Sequence, residues 1–183
     1  MKDEVGQNPR INQATIFASH IHAGQLRKYT GAPYVLHLWG VYWRVREYRG
    51  SIDQQITAWL HDAIEDTETT AEEIETMFGP VVRGLVVELT DVYTTGAYPT
   101  WNRAKRKAAE TKRKTTISDE ACLVKLADIY DNFTSFEVDD PDMAKTTAGE
   151  IGPFLDDCRD RRNLGLAGNA LRELVILKVE RFR

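Results

Sequence analysis

The sequence predicts an all-α single domain, and three observations predict it. Paired helix-start signals recur along the chain, apolar residues return at helical spacing after nearly every one of them, and neither an internal repeat nor a low-complexity linker divides the 183 residues. Asn8-Pro9 offers an N-cap followed by proline at the first helical position, and Ile11, Ala14, Phe17, Ala18 and Ile21 then mark one face, so a first helix runs to about His22. A glycine-containing loop, AGQLRKYTGAP, follows. Tyr34 to Tyr48 carries the next stripe, Leu38, Val41, Tyr42 and Val45, and Gly50 ends it. Ser51 with Gln54 and Thr70 with Glu73 are spaced as capping boxes, which predicts one helix over 52–66 and another over 71–78. Val81, Val82, Leu85, Val86 and Leu89 have helical period despite their β-branched composition. DVYTTGAYP reads as an irregular loop with room for a small hairpin, and the basic segment after it resumes helix. Ser118 caps a helix carrying Cys122, Leu123, Leu126, Ala127, Tyr130 and Phe133. Asp140-Pro141 opens another, Gly152-Pro153 should interrupt or kink it, and a last helix near 167–181 closes the chain.

Composition excludes several classes. No apolar run is long enough to span a bilayer, and MKDEVGQNPR lacks the basic-then-apolar layout of a secretion signal, so a cytoplasmic location is the expectation. Cys122 and Cys158 form no CxxC pair and read as reduced packing residues. The net charge of −4 conceals an asymmetry: NRAKRKAAETKRK (102–114) holds seven basic residues and one acid, +6 in all, leaving −10 elsewhere. That block is either a solvated helix face or a phosphate-binding surface.

The stretch WLHDAIEDT places a histidine and three carboxylates beside Leu60 and Ile64, which face the core. His61 and Glu65 are four apart, as are Asp62 and Asp66, so all four share adjoining stripes of one helix. They can be ordinary solvated residues at a helix end. Carboxylates in a last turn, however, oppose the helix dipole, and a bound cation would compensate. His37 on the preceding helix and Asp128 in the apolar LVKLADIYDN complete a set of two imidazoles and two carboxylates from three helices. Either can instead be a satisfied core polar group. Together with His61 and Asp62 they suit Mn²⁺, Fe²⁺, Co²⁺ or Zn²⁺ with positions left open for chemistry.

At these residues the sequence resembles a known family. The order H…HD…D is that of the HD-domain metal-dependent phosphohydrolases. HAGQLRKYTGAPYVLH, WLHDAIEDT, the FG of MFGPVV, ELTD and LVKLADIYDN resemble segments of one branch, the RelA/SpoT-type (p)ppGpp hydrolases, over roughly residues 11–136. The length is that of the stand-alone small alarmone hydrolases, of the metazoan SpoT homologue type. The resemblance implies a single HD-domain helical bundle over 1–183 and hydrolysis of the 3′-pyrophosphate of (p)ppGpp to GDP or GTP. It implies His37, His61, Asp62 and Asp128 as ligands of Mn²⁺ or another divalent metal, and Glu65 and Asp66 as the pair that positions and deprotonates the attacking water. Arg27, Lys28 and Asn132 would contact the nucleotide, and the basic helix would lie near the distal phosphates. A small nucleotide is thus the expected partner, with neither membrane nor nucleic acid.

Three positions depart from the family pattern. Leu38 follows the first metal histidine where proline is common, Ile129 stands where a basic residue usually follows the last metal aspartate, and Asp131 replaces His or Tyr. The departures leave room for another nucleotide such as NADPH, and the basic helix leaves room for a nucleotide or nucleic-acid binder without turnover. His22 reads as a capping or supporting group rather than a ligand, and Trp39, Trp43, Trp59 and Trp101 read as core or pocket-wall residues.

Overall fold

A computed structural model describes residues 8–28 and 30–183. Residues 1–7, most of the segment read for a secretion signal, and Tyr29 lie outside them. Ten α-helices are found among the described residues: α1 (Pro9–Ile21), α2 (Val35–Glu47), α3 (Ile52–Leu60), α4 (Ala63–Asp66), α5 (Ala71–Phe78), α6 (Pro80–Leu89), α7 (Arg103–Lys114), α8 (Asp119–Asp139), α9 (Pro141–Arg161) and α10 (Gly165–Glu180). The all-α expectation holds, and no helix is long and apolar enough to cross a membrane.

The local signals form the caps they predict. Asn8 accepts from Arg10 N, and both capping boxes close reciprocally, Ser51 with Gln54 and Thr70 with Glu73. Each satisfies amides that a helix start leaves unpaired. Asn102 and Ser118 cap α7 and α8 in the same way.

Packing makes α8 the central element, since α2, α3, α6, α9 and α10 all lie against it. Its buried stripe of Ala121, Val124, Leu126, Ala127 and Phe133 meets Leu38, Val41 and Val45 of α2 and Ile56 and Leu60 of α3 in one core. Buried Gln54 donates to Glu120 O at 3.0 Å, tying α3 to the start of α8. Cys122 and Cys158 are buried free thiols, their sulfurs 3.3 Å apart.

Three expectations are corrected. The single helix over 52–66 is broken at His61–Asp62: the His61 ring turns back to donate Nδ1–H to Ala58 O at 2.9 Å, the carbonyl that helix continuation would offer to Asp62 N–H. The helix after Asp140 runs through Gly152-Pro153 without interruption. No hairpin forms in 91–99; an isolated antiparallel bridge, Leu26 with Pro33, instead pinches the loop before α2. The tryptophans divide as well. Trp59 is core, whereas Trp39 and Trp43 stack on each other on the exposed side of α2, about half exposed, and are neither core nor pocket wall. Trp101 packs on Tyr93 and Tyr98 in the loop before α7.

Candidate metal centre and adjoining pocket

Three elements bring the expected ligands together. His37 sits in the first turn of α2, His61 and Asp62 occupy the break between α3 and α4, and Asp128 lies midway along α8. The His37 Nε2 is 3.3 Å from Asp128 Oδ1 and 3.7 Å from Asp62 Oδ2. The His61 Nε2 is 3.0 Å from Asp62 Oδ2 and 3.7 Å from Asp128 Oδ1. His37, His61 and Asp128 are buried, with ligand atoms within 4.8 Å of one another. The break in the helix is what permits this. It lets His61 and Asp62, adjacent in sequence, aim at one point, which successive residues of a straight helix do not do.

Each of these groups is held from behind. His61 Nδ1 is bound to Ala58 O and His37 Nδ1 meets Asp131 Oδ2 at 2.7 Å, so both Nε2 atoms turn inward. Asp128 accepts from Lys125 Nζ at 2.7 Å and from Asn132 Nδ2 at 2.6 Å, one turn to either side of it. Tyr34, not foreseen from the sequence, donates its hydroxyl to Asp62 Oδ2 at 2.5 Å. His61 Nε2 is buried and has no hydrogen-bond partner of acceptable geometry. An orphaned inward nitrogen facing two carboxylates suits a divalent cation.

The electrostatics agree. Burial alone would lower the pKa of both imidazoles, but the carboxylates outweigh it. Asp128, Asp131 and Asp62 raise His37 well above its ordinary value, and Asp62 and Asp128 push His61 up to about 9. Burial likewise works to raise Asp62 and Asp128. The histidines for Asp62, and Lys125 with the histidines for Asp128, hold both well below the usual range. A divalent cation held by these four side chains would therefore compete with protons for them.

The remaining predicted residues surround this centre at different distances. Glu65, exposed on α4, accepts from the Asp91 amide through Oε1 at the edge of a recess of about 200 Å³ that also borders His61, Asp62 and Asp128. Although the residue as a whole is exposed, its carboxylate loses solvent at that recess, and this, then the charges of Asp91 and Asp62, push Glu65 up to about 7 against the pull of Lys114. Asp66 is exposed and accepts from Gln25 at 2.8 Å, outside the lining of that recess. Arg27 is fixed by the pinched loop, where its N–H bonds Ala32 O, and it donates to Asp131 at 2.6 Å and to Asn132 at 2.9 Å. Lys28 lines a larger cavity of about 320 Å³ that shares Asp128 and Asn132 with the centre.

That cavity is lined by Lys107, Lys114, Lys125 and Arg103, each paired with an acid that also lines it (Asp91, Asp128 or Glu150), together with Ile129, Phe133, Phe136 and Phe154. The basic segment is thus only partly a solvated face. Lys107 and buried Lys114 converge on Asp91 at 3.0 and 2.7 Å, while Arg113 serves the carbonyls of Glu88 and Thr90. Asp91, the aspartate of ELTD, carried no predicted role; its signal was the two lysines of α7, which lie 16 and 23 residues away. His22 caps α1, stacks on Tyr34 and meets Gln25 at 2.6 Å, a supporting position.

The comparisons fit this geometry. The guanosine-3′,5′-bis(diphosphate) 3′-pyrophosphohydrolase MESH1 of Mus musculus is 40% identical over 123 residues, a match covering 65% of this chain and 65% of that protein, just under two thirds of its length. MESH1 of Drosophila melanogaster is 34% identical over 128 residues, 68% of each chain. The guanosine-3′,5′-bis(diphosphate) 3′-pyrophosphohydrolase of Aquifex aeolicus is 35% identical over 144 residues, 76% of this chain and 20% of that one. A solved structure of a metazoan SpoT orthologue superposes with a TM-score of 0.77 at 24% identity, covering 93% of this chain and 96% of that chain, which shows the shared fold. The HD domain profile matches residues 14–152, which contain all four converging side chains, and the chain belongs to the HD domain family.

Proposed function

We propose that the protein is a metal-dependent hydrolase that removes the 3′-pyrophosphate of (p)ppGpp, yielding GDP or GTP and pyrophosphate, with Mn²⁺ as its metal and the cytoplasm as its location. One observation carries the reading: two inward imidazoles, one of them orphaned, meet two carboxylates beside a cavity lined by four lysines and an arginine with paired acids. The activity is the one named for the curated relatives in mouse, fly and Aquifex aeolicus.

His37, His61, Asp62 and Asp128 would hold the cation. Bound there, it would polarise the phosphoryl oxygens and lower the pKa of water. Water adds its oxygen to the phosphorus of the 3′-ester, the bond from that phosphorus to the 3′-oxygen breaks, and the 3′-hydroxyl and pyrophosphate result. Glu65, poised near neutrality, takes the proton of the attacking water, and the departing 3′-oxygen takes one from solvent. Asp66, tied to Gln25 outside the recess, would assist Glu65 in positioning that water. Arg27 and Lys28 bind the nucleotide phosphates, Arg27 through the planar fork now occupied by Asp131 and Asn132, and Asn132 offers the nucleotide its amide. Lys107 and Lys114 add charge for a polyanion.

The test is a product-resolved assay of the purified, Mn²⁺-loaded protein with ppGpp and NADPH in parallel. Pyrophosphate from ppGpp is expected. Orthophosphate released from NADPH alone would replace the reading with that of another nucleotide phosphatase, and salt-sensitive binding without turnover would make the protein a binder. Asp62→Ala should lose metal and activity together. Glu65→Gln should keep the metal and lose activity by a factor of about 10² or more.

A further inference from the structure

Asp131 belongs to neither the predicted ligands nor the predicted nucleotide contacts, yet it touches both. Its Oδ2 lies 2.7 Å from His37 Nδ1 and 2.6 Å from Arg27 Nη1. His37 is 2% exposed, so its ring depends on these protein partners to fix its proton. A neutral imidazole carries one proton. Bound to Asp131 from Nδ1, that proton leaves the Nε2 lone pair facing Asp62 and Asp128. His61 receives the same service from Ala58 O, a neutral acceptor; His37 receives it from an anion.

The space for that anion comes from α2. A Cβ added to Gly40 would fall on Asp131 Oδ1, so the carboxylate fills the place where any other residue would carry a side chain. Glycine inside a helix costs about 1 kcal/mol relative to alanine. Here the opening it leaves, one turn beyond His37, lets α8 bring its acid against the back of the ring.

We propose that Asp131, seated in the opening left by Gly40, is a positioning residue of the metal centre that holds His37 as the Nδ1–H tautomer and so sets the affinity for the cation. The inference rests on the metal-centre part of the function proposed above. A carboxylate behind a ligand histidine orients the ring and raises its basicity, and loss of such a support weakens metal binding by about 10–100-fold. The competing role is purely structural: Asp131 as a seat for Arg27.

Calorimetric titration of the metal-free protein with Mn²⁺, comparing wild type with Asp131→Ala, Gly40→Ala and Arg27→Ala, separates the two. Asp131→Ala and Gly40→Ala are each expected to weaken binding by about tenfold or more. Gly40→Ala does so by displacing the Asp131 carboxylate while deleting no polar group, and it decides the matter if circular dichroism shows Asp131→Ala unfolded. Arg27→Ala should leave Mn²⁺ affinity unchanged or slightly tighter. Imidazole ¹⁵N spectra of the Zn²⁺-loaded protein should show His37 protonated on Nδ1 in wild type, with that proton's exchange accelerated in Gly40→Ala. Wild-type affinity in both Asp131→Ala and Gly40→Ala overturns the proposal, as does an Arg27→Ala loss equal to that of Asp131→Ala. A wild type that itself takes up no Mn²⁺ overturns the metal reading as well, and the same titration reveals it.

Discussion

Glu65 and Asp91 are acids joined by one hydrogen bond, yet they titrate in opposite directions. Burial works to raise both. Glu65 has the charges of Asp91 and Asp62 near it and rises to about 7, while Asp91 has Lys114, Lys125 and Lys107 and is held well below its ordinary value. One acid kept ionised beside another poised near neutrality is how a site acquires a base with a defined task. In the metal-free protein, Asp91→Asn should bring the Glu65 midpoint down, since the largest charge raising it is removed. Lys114→Met should push it up, since Lys114 opposes the rise. Carboxyl ¹³C titration reads both, and a Glu65 midpoint unmoved by either substitution would rule out this electrostatic account. The pattern HDAIED singled out Glu65 in the sequence because the proposed metal ligands and the acid lie within one short segment. Its partner was not visible: the contact is to the backbone amide of Asp91, 26 residues on, and amides carry no residue signature.

Elements show the same division between local and distant causes. The capping boxes at Ser51 and Thr70 were legible because both reciprocal bonds lie within four residues. The break at His61 was not, because it depends on a ring competing for a carbonyl within a segment whose apolar period runs on undisturbed. The basic run of α7 was legible as charge, but much of its destination is backbone: Lys114 donates to Leu89 O at 2.7 Å and Arg113 to two carbonyls. This makes α7 a clamp on the loop that follows α6, with Glu110 as its acid. Buried Glu110 accepts from the amides of Val92 and Tyr93 at 2.9 and 3.0 Å and from Arg113 Nε at 2.7 Å. Glu110→Ala leaves those donors unpaired and should destabilise the protein by about 2 kcal/mol. The amides of residues 92 and 93 should lose hydrogen-exchange protection first, before the core of α8. Unchanged protection there would mean that the loop is held by its aromatic contacts and not by α7.

At the scale of the whole molecule, the converging helices hold a concentration of charge in the core that protons or a cation must balance, and this links stability to pH. His61 titrates near 9 in the folded chain against an ordinary 6.5, and His37 is raised as well. A base whose folded pKa is raised contributes stability that is complete below about 6.5 and is lost as the pH climbs through the folded value. Glu65, raised to about 7, also loses its contribution upward, from about 4.5. Asp62 and Asp128, held low, contribute throughout this window and lose their share only in strong acid. The metal-free protein should therefore melt at progressively lower temperature between pH 6.5 and 8.5. A divalent cation needs unprotonated imidazoles, so its affinity rises over the same interval as it displaces fewer protons. At 100 times its Kd it adds about 2.7 kcal/mol, roughly 5–10 °C in Tm for a chain of this length. The gap between melting curves in Mn²⁺ and in EDTA should widen with pH. In Asp128→Asn, which removes one of the two carboxylates the histidines face, both the slope of the EDTA curve and the gap should shrink. A gap that stays constant from pH 6.5 to 8.5 would show that protons and metal do not compete for these side chains, and the four would then be a polar core cluster without a cation.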